Sequence, residues 1–172
     1  MGRLSRKIQN KEKEVIFIKF RMKKSNINGS TDKRNVNPEW FTGKTWMKVL
    51  SEKIESSDQD IYHVHFEKGS KTKLHFHNGN QVLMAVKGKG SLEIFKKFGS
   101  KKTEFKIKRI ERISLNEGDI VHIPAKTLHT HGSINKNKEF SHIAINVLPK
   151  KNSTYKTTWY ESDFKNKVTK II

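Results

Sequence analysis

The sequence predicts a single all-β domain, a sandwich or a barrel. From Trp40 to Leu148, short runs of β-branched and aromatic residues alternate with turn-forming clusters. The clusters recur at intervals of roughly ten residues, which is typical of all-β folds. The chain has 172 residues, of which 33% are hydrophobic, and this is enough apolar material for one ordinary core.

The predicted strands lie between turns rich in Gly, Asn and Lys. They span residues 45–50, 61–66, 73–77, 81–87, 90–97, 104–115, 120–123, 129–133 and 141–148, with a turn at 87–90 between the fourth and the fifth. We divide the chain into a basic N-terminal extension (1–37), a barrel (38–148) and a C-terminal arm (149–172), in which residues 159–172 form a short helix or an arm. Residues 15–22 have strand composition; either they add an edge strand to the barrel or to a partner subunit, or they belong to a mobile tail.

Composition excludes several classes of function. The chain has no cysteine, so any metal must be held by nitrogen and oxygen donors. No apolar run is long enough to span a bilayer and no signal peptide is apparent, so we expect a cytoplasmic protein without a membrane partner. The net charge is +19, and the basic excess is divided between residues 1–34 and the remainder. This spread indicates a lysine-rich surface, and we do not expect a nucleic-acid partner.

The distribution of histidine is the most informative feature. All 8 histidines lie between residues 63 and 142. His75 and His77 are two positions apart, and residues i and i+2 of a strand face the same side, so both imidazoles enter one cavity. An amide across the next Asn-Gly turn and a third imidazole from a distant strand can join them around one divalent ion. The predicted metal ligands are His75, His77, Gln81 and His129.

The spacing of these residues resembles the two conserved motifs of the cupin family. The first motif is usually written as Gly, five residues, His-x-His, three or four residues, Glu, six residues, Gly. The corresponding positions in this chain are Gly69, His75, His77, Gln81 and Gly88. The second motif resembles the segment from Gly118 to His129. Two departures stand out: Gln81 replaces the usual Glu, and Lys126 stands where the second motif usually has Gly.

The resemblance covers roughly residues 38–148 and implies a double-stranded β-helix, or jelly-roll barrel. With the Gln variant, segments 40–43, 129–132 and 141–145 resemble a subgroup that contains bacterial cupin hydroxynitrile lyases and small cupins related to carboxymuconolactone decarboxylases. The metal of the lyase members is typically manganese. By this resemblance, the predicted catalytic residues that line the substrate cavity are Thr72, His131, His142 and Asn146.

The residue pattern supports some of these roles independently. His131 shares a strand face with His129, and His142 shares one with Asn146, so two further imidazoles and an amide face the ion. Imidazoles titrate near neutral pH and are acid/base candidates. Because all four predicted ligands are neutral, they leave the charge of the metal uncancelled, which favours an anion or a developing oxyanion.

Three functions are compatible with this pattern. The leading hypothesis is a divalent-metal-dependent enzyme on a small oxygenated organic molecule, with Lewis-acid lyase or isomerase chemistry or dioxygenase-type chemistry. The expected cofactor is one Mn or Fe ion, with Zn, Ni and Cu as alternatives. The second hypothesis is a noncatalytic metal-binding or small-ligand-binding module, and the third is polyanion binding. The expected partners are a small-molecule substrate, either neutral or anionic, and a second copy of the chain in a homodimer.

Overall fold

The structure is a computed structural model that describes residues 22–29, 33–150 and 153–172. Of the predicted strand at 15–22, only Met22 lies within the described residues, where it is exposed and belongs to no strand. In the described part of the chain, no helix is long and apolar enough to cross a membrane.

Strands dominate the described residues and confirm the predicted all-β barrel. The strands are β1 (Arg34–Asn35), β2 (Phe41–Thr42), β3 (Thr45–Val49), β4 (Gln59–Phe66), β5 (Lys71–Thr72), β6 (Leu74–His77), β7 (Gln81–Phe98), β8 (Phe105–Asn116), β9 (Ile120–Ile123), β10 (Leu128–Ser133), β11 (Phe140–Val147), β12 (Thr157–Ser162) and β13 (Lys167–Ile171). A 3-10 helix (Pro38–Trp40) and the short helix α1 (Ser51–Ile54) complete the fold.

The long strand β7 joins two antiparallel sheets. Its first half pairs with β11 and β9, and β11 continues through β4 and β3 to β1. Its second half pairs with β8 and β10. Because one strand runs through both sheets, they fold over each other and enclose a cavity, as in a jelly roll.

The crossing point of β7 corrects one prediction. The predicted turn at residues 87–90 is wrong, because the strand continues through Gly88, which pairs with Phe140 on β11; a β-bulge lies two residues earlier, at Val86. Gly88 has a φ of +77°, and a Cβ there would collide with the carbonyl oxygen of Glu139. A turn and a close backbone approach within a strand both select glycine, so the composition alone does not separate them.

The C-terminal segment corrects another prediction. Of the two alternatives for residues 159–172, a short helix or an arm, the helix is wrong, because β12 and β13 form a hairpin that pairs with β6 and β8. Together with the pairing of β10 to β6 and to β7, this closes a ring of six strands, namely β7, β8, β13, β12, β6 and β10.

Two apolar cores follow from this topology. The first lies inside the main barrel and contains Val64, Phe66, Leu83, Ala85, Leu92, Leu115, Ile123, Phe140 and Ala144. The second draws only on the six strands of the ring and contains Leu74, Phe95, Phe105, Ile107, Leu128, Tyr160 and Val168. Since neighbouring strand residues face opposite sides, Leu74 and Leu128 point into the second core while His75 and His129 point into the barrel.

We expect Gly88→Ala to lower the free energy of unfolding by about 3 kcal/mol, from the left-handed backbone together with the collision. Gly99→Ala is the matched control, because Gly99 also has a positive φ, +96°, but its Cβ would have no neighbour within 4 Å. The control substitution should lower the free energy of unfolding by only about 1–2 kcal/mol. Urea denaturation of both variants measures the difference, and equal losses would show that the close approach of Gly88 to Glu139 is unimportant.

Candidate metal centre

Two histidines from different strands face each other at the centre of the candidate site. His75 on β6 and His129 on β10 are direct cross-strand partners, and their ring centroids lie 4.2 Å apart. Both side chains are almost completely buried. The sheet register therefore places two imidazoles side by side in the barrel.

The backbone fixes how both rings present their nitrogens. The Nδ1 atom of His75 lies 2.9 Å from the carbonyl oxygen of Lys73, and that of His129 lies 2.8 Å from the carbonyl oxygen of Thr127. A carbonyl oxygen only accepts, so each Nδ1 carries the proton and each Nε2 keeps its lone pair. Outward anchoring of Nδ1 is typical of histidines that bind a metal through Nε2.

His77 follows the same pattern with a different anchor. Its Nδ1 lies 2.8 Å from the Oγ1 atom of Thr157 on β12, and its Nε2 is buried without a hydrogen-bond partner among the described residues. The ring centroid of His77 lies 4.9 Å from that of His75 and 5.4 Å from that of His129. His77 therefore turns a free nitrogen toward the same group.

Gln81 presents an oxygen. Its Nε2 donates to the Oδ1 atom of Asn146 across β7 and β11 at 2.8 Å, which leaves Oε1 buried and without a partner in the described structure. The Nε2 of His129 is equally unpartnered. A buried acceptor without a partner costs about 1–3 kcal/mol. Lone pairs of this kind fit a divalent cation, which accepts nitrogen and oxygen donors together.

Burial keeps the imidazoles neutral. It lowers the pKa of His77 to about 3, with help from the positive field of His129, and that of His129 to about 4. The pKa of His75 is held well below its usual value by burial and then by its three histidine neighbours. Neutral imidazole is the form that binds metal, so these rings need not lose protons first at neutral pH.

His131 lies close enough to compete for a place in the ligand set. The ligand atoms of His75, His129 and His131 all lie within 4.8 Å of one another. This triad could hold a metal ion and overlaps with the predicted set in two members. The predicted set of His75, His77, Gln81 and His129 stays a prediction.

The four predicted catalytic residues line or flank the same cavity. The Nε2 of His142 lies 3.1 Å from the Nδ1 of His131, and the Nδ1 of His142 is buried without a described partner. Thr72 is tied to the backbone, because its Oγ1 accepts from the N–H of His131 at 3.0 Å. Asn146 holds the amide of Gln81. Their catalytic roles stay predictions, but the chain does bring these side chains together.

The cavity has a volume of about 430 Å³, within the range of small-molecule sites. All the predicted site residues except His129 line it, and His129 lies fully buried. Apolar and aromatic side chains from several strands form most of the remaining wall, namely Trp40, Phe41, Met47, Tyr62, Val64, Ala144, Tyr155 and Trp159.

Several of these residues escaped prediction because they come from the C-terminal segment. Trp159 on β12 stacks on the ring of His75 at a centroid distance of 4.3 Å. Trp40 stacks on Trp159 in turn, at a centroid distance of 5.4 Å. Thr157 anchors His77 from the same strand. The only sequence signal for them is the alternation of Thr157, Trp159 and Glu161, which is too short to identify a strand by itself.

The barrel and its cluster of inward-facing histidines define a cupin-type protein. The chain belongs to the cupin family, because the family model described as Cupin matches residues 27–170. The match includes β12 and all but the last residue of β13, and both strands lie outside the range of the sequence resemblance. The comparison with curated proteins gave no match.

Solved structures show the same fold. A cupin-like protein from Thermotoga maritima is 27% identical, with a TM-score of 0.57, over 76% of this chain and 86% of that protein. The oxalate decarboxylase of Bacillus subtilis is 18% identical with a TM-score of 0.51, over 73% of this chain and 29% of that protein. Hazelnut vicilin is 15% identical with a TM-score of 0.50, over 74% of this chain and 33% of that protein. Since the chain spans only about a third of the last two proteins, they support the fold alone.

We expect the metal-free protein to lose stability as the pH falls from 6.5, the usual pKa of histidine, toward 4. In this window the histidines of the unfolded chain bind protons, whereas the buried histidines of the folded protein do not. The free energy of unfolding therefore decreases with falling pH. Each such histidine contributes up to about 1.4 kcal/mol per pH unit. Urea midpoints measured at pH 7.5 and pH 5 in the presence of a chelator test this, and identical midpoints would contradict it.

Thr157→Val should lower the affinity for Mn²⁺ or Zn²⁺ by about tenfold, since it removes the group that orients His77. Thr158→Val is the matched control, because that side chain faces the other side of β12. Competition with a chromophoric chelator measures both variants. If the two bind metal equally well, His77 does not need its anchor and its place in the ligand set is in doubt.

Proposed function

We propose that this cupin is a divalent-metal-dependent enzyme that acts on a small oxygenated organic molecule. The observation that carries the proposal is the convergence of imidazoles and one amide whose lone pairs have no partner among the described residues. His77 Nε2, His129 Nε2 and Gln81 Oε1 are all buried and unpartnered in the described structure. A cation at this position would accept these lone pairs, so the cost of burying them without a partner would be removed on binding.

Manganese or iron is the favoured ion, and zinc, nickel and copper are alternatives. A set of three imidazoles and one amide oxygen suits the first-row divalent metals in general. Manganese(II) centres are described for the oxalate decarboxylase of Bacillus subtilis, one of the fold neighbours. When bound, such an ion supplies Lewis-acid polarisation of a substrate oxygen or, as ferrous iron, oxygen-dependent chemistry.

The histidine pair beside the ligands is suited to moving a proton. A single proton shared between His142 Nε2 and His131 Nδ1 makes one ring the donor and the other the acceptor. With the proton on His142, the Nε2 of His131 carries a hydrogen and acts as an acid. With one proton on His131 Nδ1 and one on His142 Nδ1, both rings are again neutral, and the same Nε2 of His131 is bare and acts as a base. The pair thus serves either direction of a proton transfer.

The environment of the pair keeps both rings neutral and shielded from water. Burial and the neighbouring imidazoles hold the pKa of His131 well below its usual value, and burial lowers that of His142 to about 3. Both rings are therefore neutral at pH 7. Phe66 packs against the two rings with centroid distances of 5.9 and 5.5 Å and shields them from water.

Within this class, lyase chemistry is our first choice. It rests on the resemblance of the Gln81 motif and of residues 129–132 and 141–145 to the subgroup with hydroxynitrile lyases. Isomerase and dioxygenase-type chemistry use the same centre and remain the alternatives. The ion that the protein holds separates them, because oxygen-dependent cleavage calls for ferrous iron.

A noncatalytic metal-binding module is the second candidate. It is favoured by the position of His131, which lies in one group with His75 and His129 within 4.8 Å. If His131 joins the four predicted ligands, five protein donors surround the ion and leave a six-coordinate Mn²⁺ or Fe²⁺ a single position for a substrate. Closed coordination is typical of structural sites.

We expect elemental analysis to find about one transition-metal ion per chain in protein purified without a nickel column. His77→Ala should lose the ion, whereas His131→Ala should keep it, because only His77 belongs to the proposed ligand set. Loss of the ion in both variants would add His131 to the ligand set and favour the noncatalytic module, whereas loss in His131→Ala alone would remove His77 from the set. A metal-free wild-type protein that takes up no Mn²⁺, Fe²⁺ or Zn²⁺ would contradict both.

The enzyme hypothesis predicts turnover that depends on the histidine pair. Metal-loaded protein is screened with hydroxynitriles, hydroxy acids and keto acids, and an oxygen electrode separates dioxygenase from lyase activity. His142→Gln should retain the ion and lose at least about a hundredfold in kcat, the usual contribution of a general acid or base. His122→Gln, at an exposed position of β9, is the matched control. Unchanged turnover in His142→Gln would remove the proton-transfer role.

A further inference from the structure

One charged side chain stands out in the cavity. Among the described residues that line it, Asp60 is the sole Asp, Glu, Lys or Arg. The chain has 36 Lys and Arg residues, yet the carboxylate of Asp60 has no ion pair or side-chain hydrogen bond with any residue in the described structure. An uncompensated carboxylate on a cavity wall is available to a ligand.

Asp60 lies at a definite place relative to the candidate metal ligands. In the sheet register, Gln81 on β7 pairs with Asn146 on β11, and Asn146 pairs with Asp60 on β4. All three side chains line the cavity. Neighbouring strands are about 4.8 Å apart, so the backbone of Asp60 lies roughly 10 Å from that of Gln81. The carboxylate and the candidate metal ligands therefore occupy different parts of one cavity.

Aromatic rings accompany the carboxylate. Burial, together with the negative charge of Asp60, raises the pKa of Tyr62 and of Tyr155, so both phenols stay neutral. Both rings line the cavity, and that of Tyr155 reaches from the neighbourhood of Asp60 to His77, whose ring centroid lies 5.0 Å away. The faces of aromatic rings attract cations, and they do so more strongly where water is excluded. This side of the cavity is thus chemically suited to an ammonium group.

We propose that the cavity binds a small zwitterion, with its ammonium group at Asp60 and its anionic oxygen toward the metal centre. This inference rests on the proposed function. The neutral ligands leave the charge of the ion uncancelled, and the described protein leaves the charge of Asp60 uncancelled. A ligand with one negative and one positive end, separated by a few methylene groups, neutralises both. Asp60 is then the residue that determines specificity.

The net charge of the protein does not oppose this arrangement. A net charge of +19 repels a free cation at long range, but a zwitterion has no net charge. At physiological ionic strength, exposed charges more than about 8 Å away are largely screened. The local carboxylate and the aromatic rings therefore decide what the cavity selects.

The probes are 4-aminobutanoate, pentanoate and pentylamine, titrated into the metal-loaded full chain. Pentanoate replaces the ammonium by a methyl group of similar size, and pentylamine lacks the carboxylate. Tryptophan fluorescence reports binding, because Trp40 and Trp159 line the cavity. We expect 4-aminobutanoate to bind at least about tenfold more tightly than either analogue, the ratio that one charge-assisted hydrogen bond provides.

Asp60→Asn should reduce the preference for 4-aminobutanoate over pentanoate to about twofold or less while leaving metal content and melting temperature unchanged. Asp58→Asn is the matched control, because Asp58 is exposed, lies outside the cavity and carries the same charge. Equal binding of 4-aminobutanoate and pentanoate to the wild type, no binding of any probe at tens of millimolar, or an intact preference in Asp60→Asn would overturn the inference. Loss of the proposed function would appear separately, as protein that takes up no metal.

Discussion

The site depends on the pairing of β6 with β10, which places His75 opposite His129. The Nδ1 of each ring donates to the carbonyl oxygen two residues earlier on its own chain segment. The backbone itself thus decides which nitrogen faces the cavity. A histidine oriented in this way gives up little rotational freedom when it binds an ion, because that freedom has already been lost on folding.

The second core packs against the face of β6 and β10 that points away from the site. β6 and β10 carry His75 and His129 on one face and Leu74 and Leu128 on the other. Both faces of the wall are consequently packed, and the ring of six strands leaves the histidines little room to shift. The hairpin of β12 and β13 closes that ring, and β12 also contributes Thr157 and Trp159 to the site. Rigid elements with supporting contacts behind them position ligands better than loops do.

Part of the site follows directly from sequence. Two histidines at i and i+2 must share a strand face, and the spacing of Gln81 and His129 resembles the cupin motifs closely enough to predict the cluster and the barrel. Thr157, Trp159 and Asp60 could not be found this way, because each is one residue in a segment whose partners lie far along the chain. Gly88 was misassigned to a turn for a local reason: a close backbone approach inside a continuous strand can need the same left-handed glycine.

The central claim is that imidazoles of His75, His77 and His129 and the amide oxygen of Gln81 hold one divalent ion. Anomalous diffraction at the absorption edge of manganese, from crystals grown with Mn²⁺, tests it most directly. The account predicts a single peak within bonding distance, about 2.0–2.3 Å, of the three Nε2 atoms and of Gln81 Oε1. A peak elsewhere, or none between His75 and His129 at full metal loading, would contradict it.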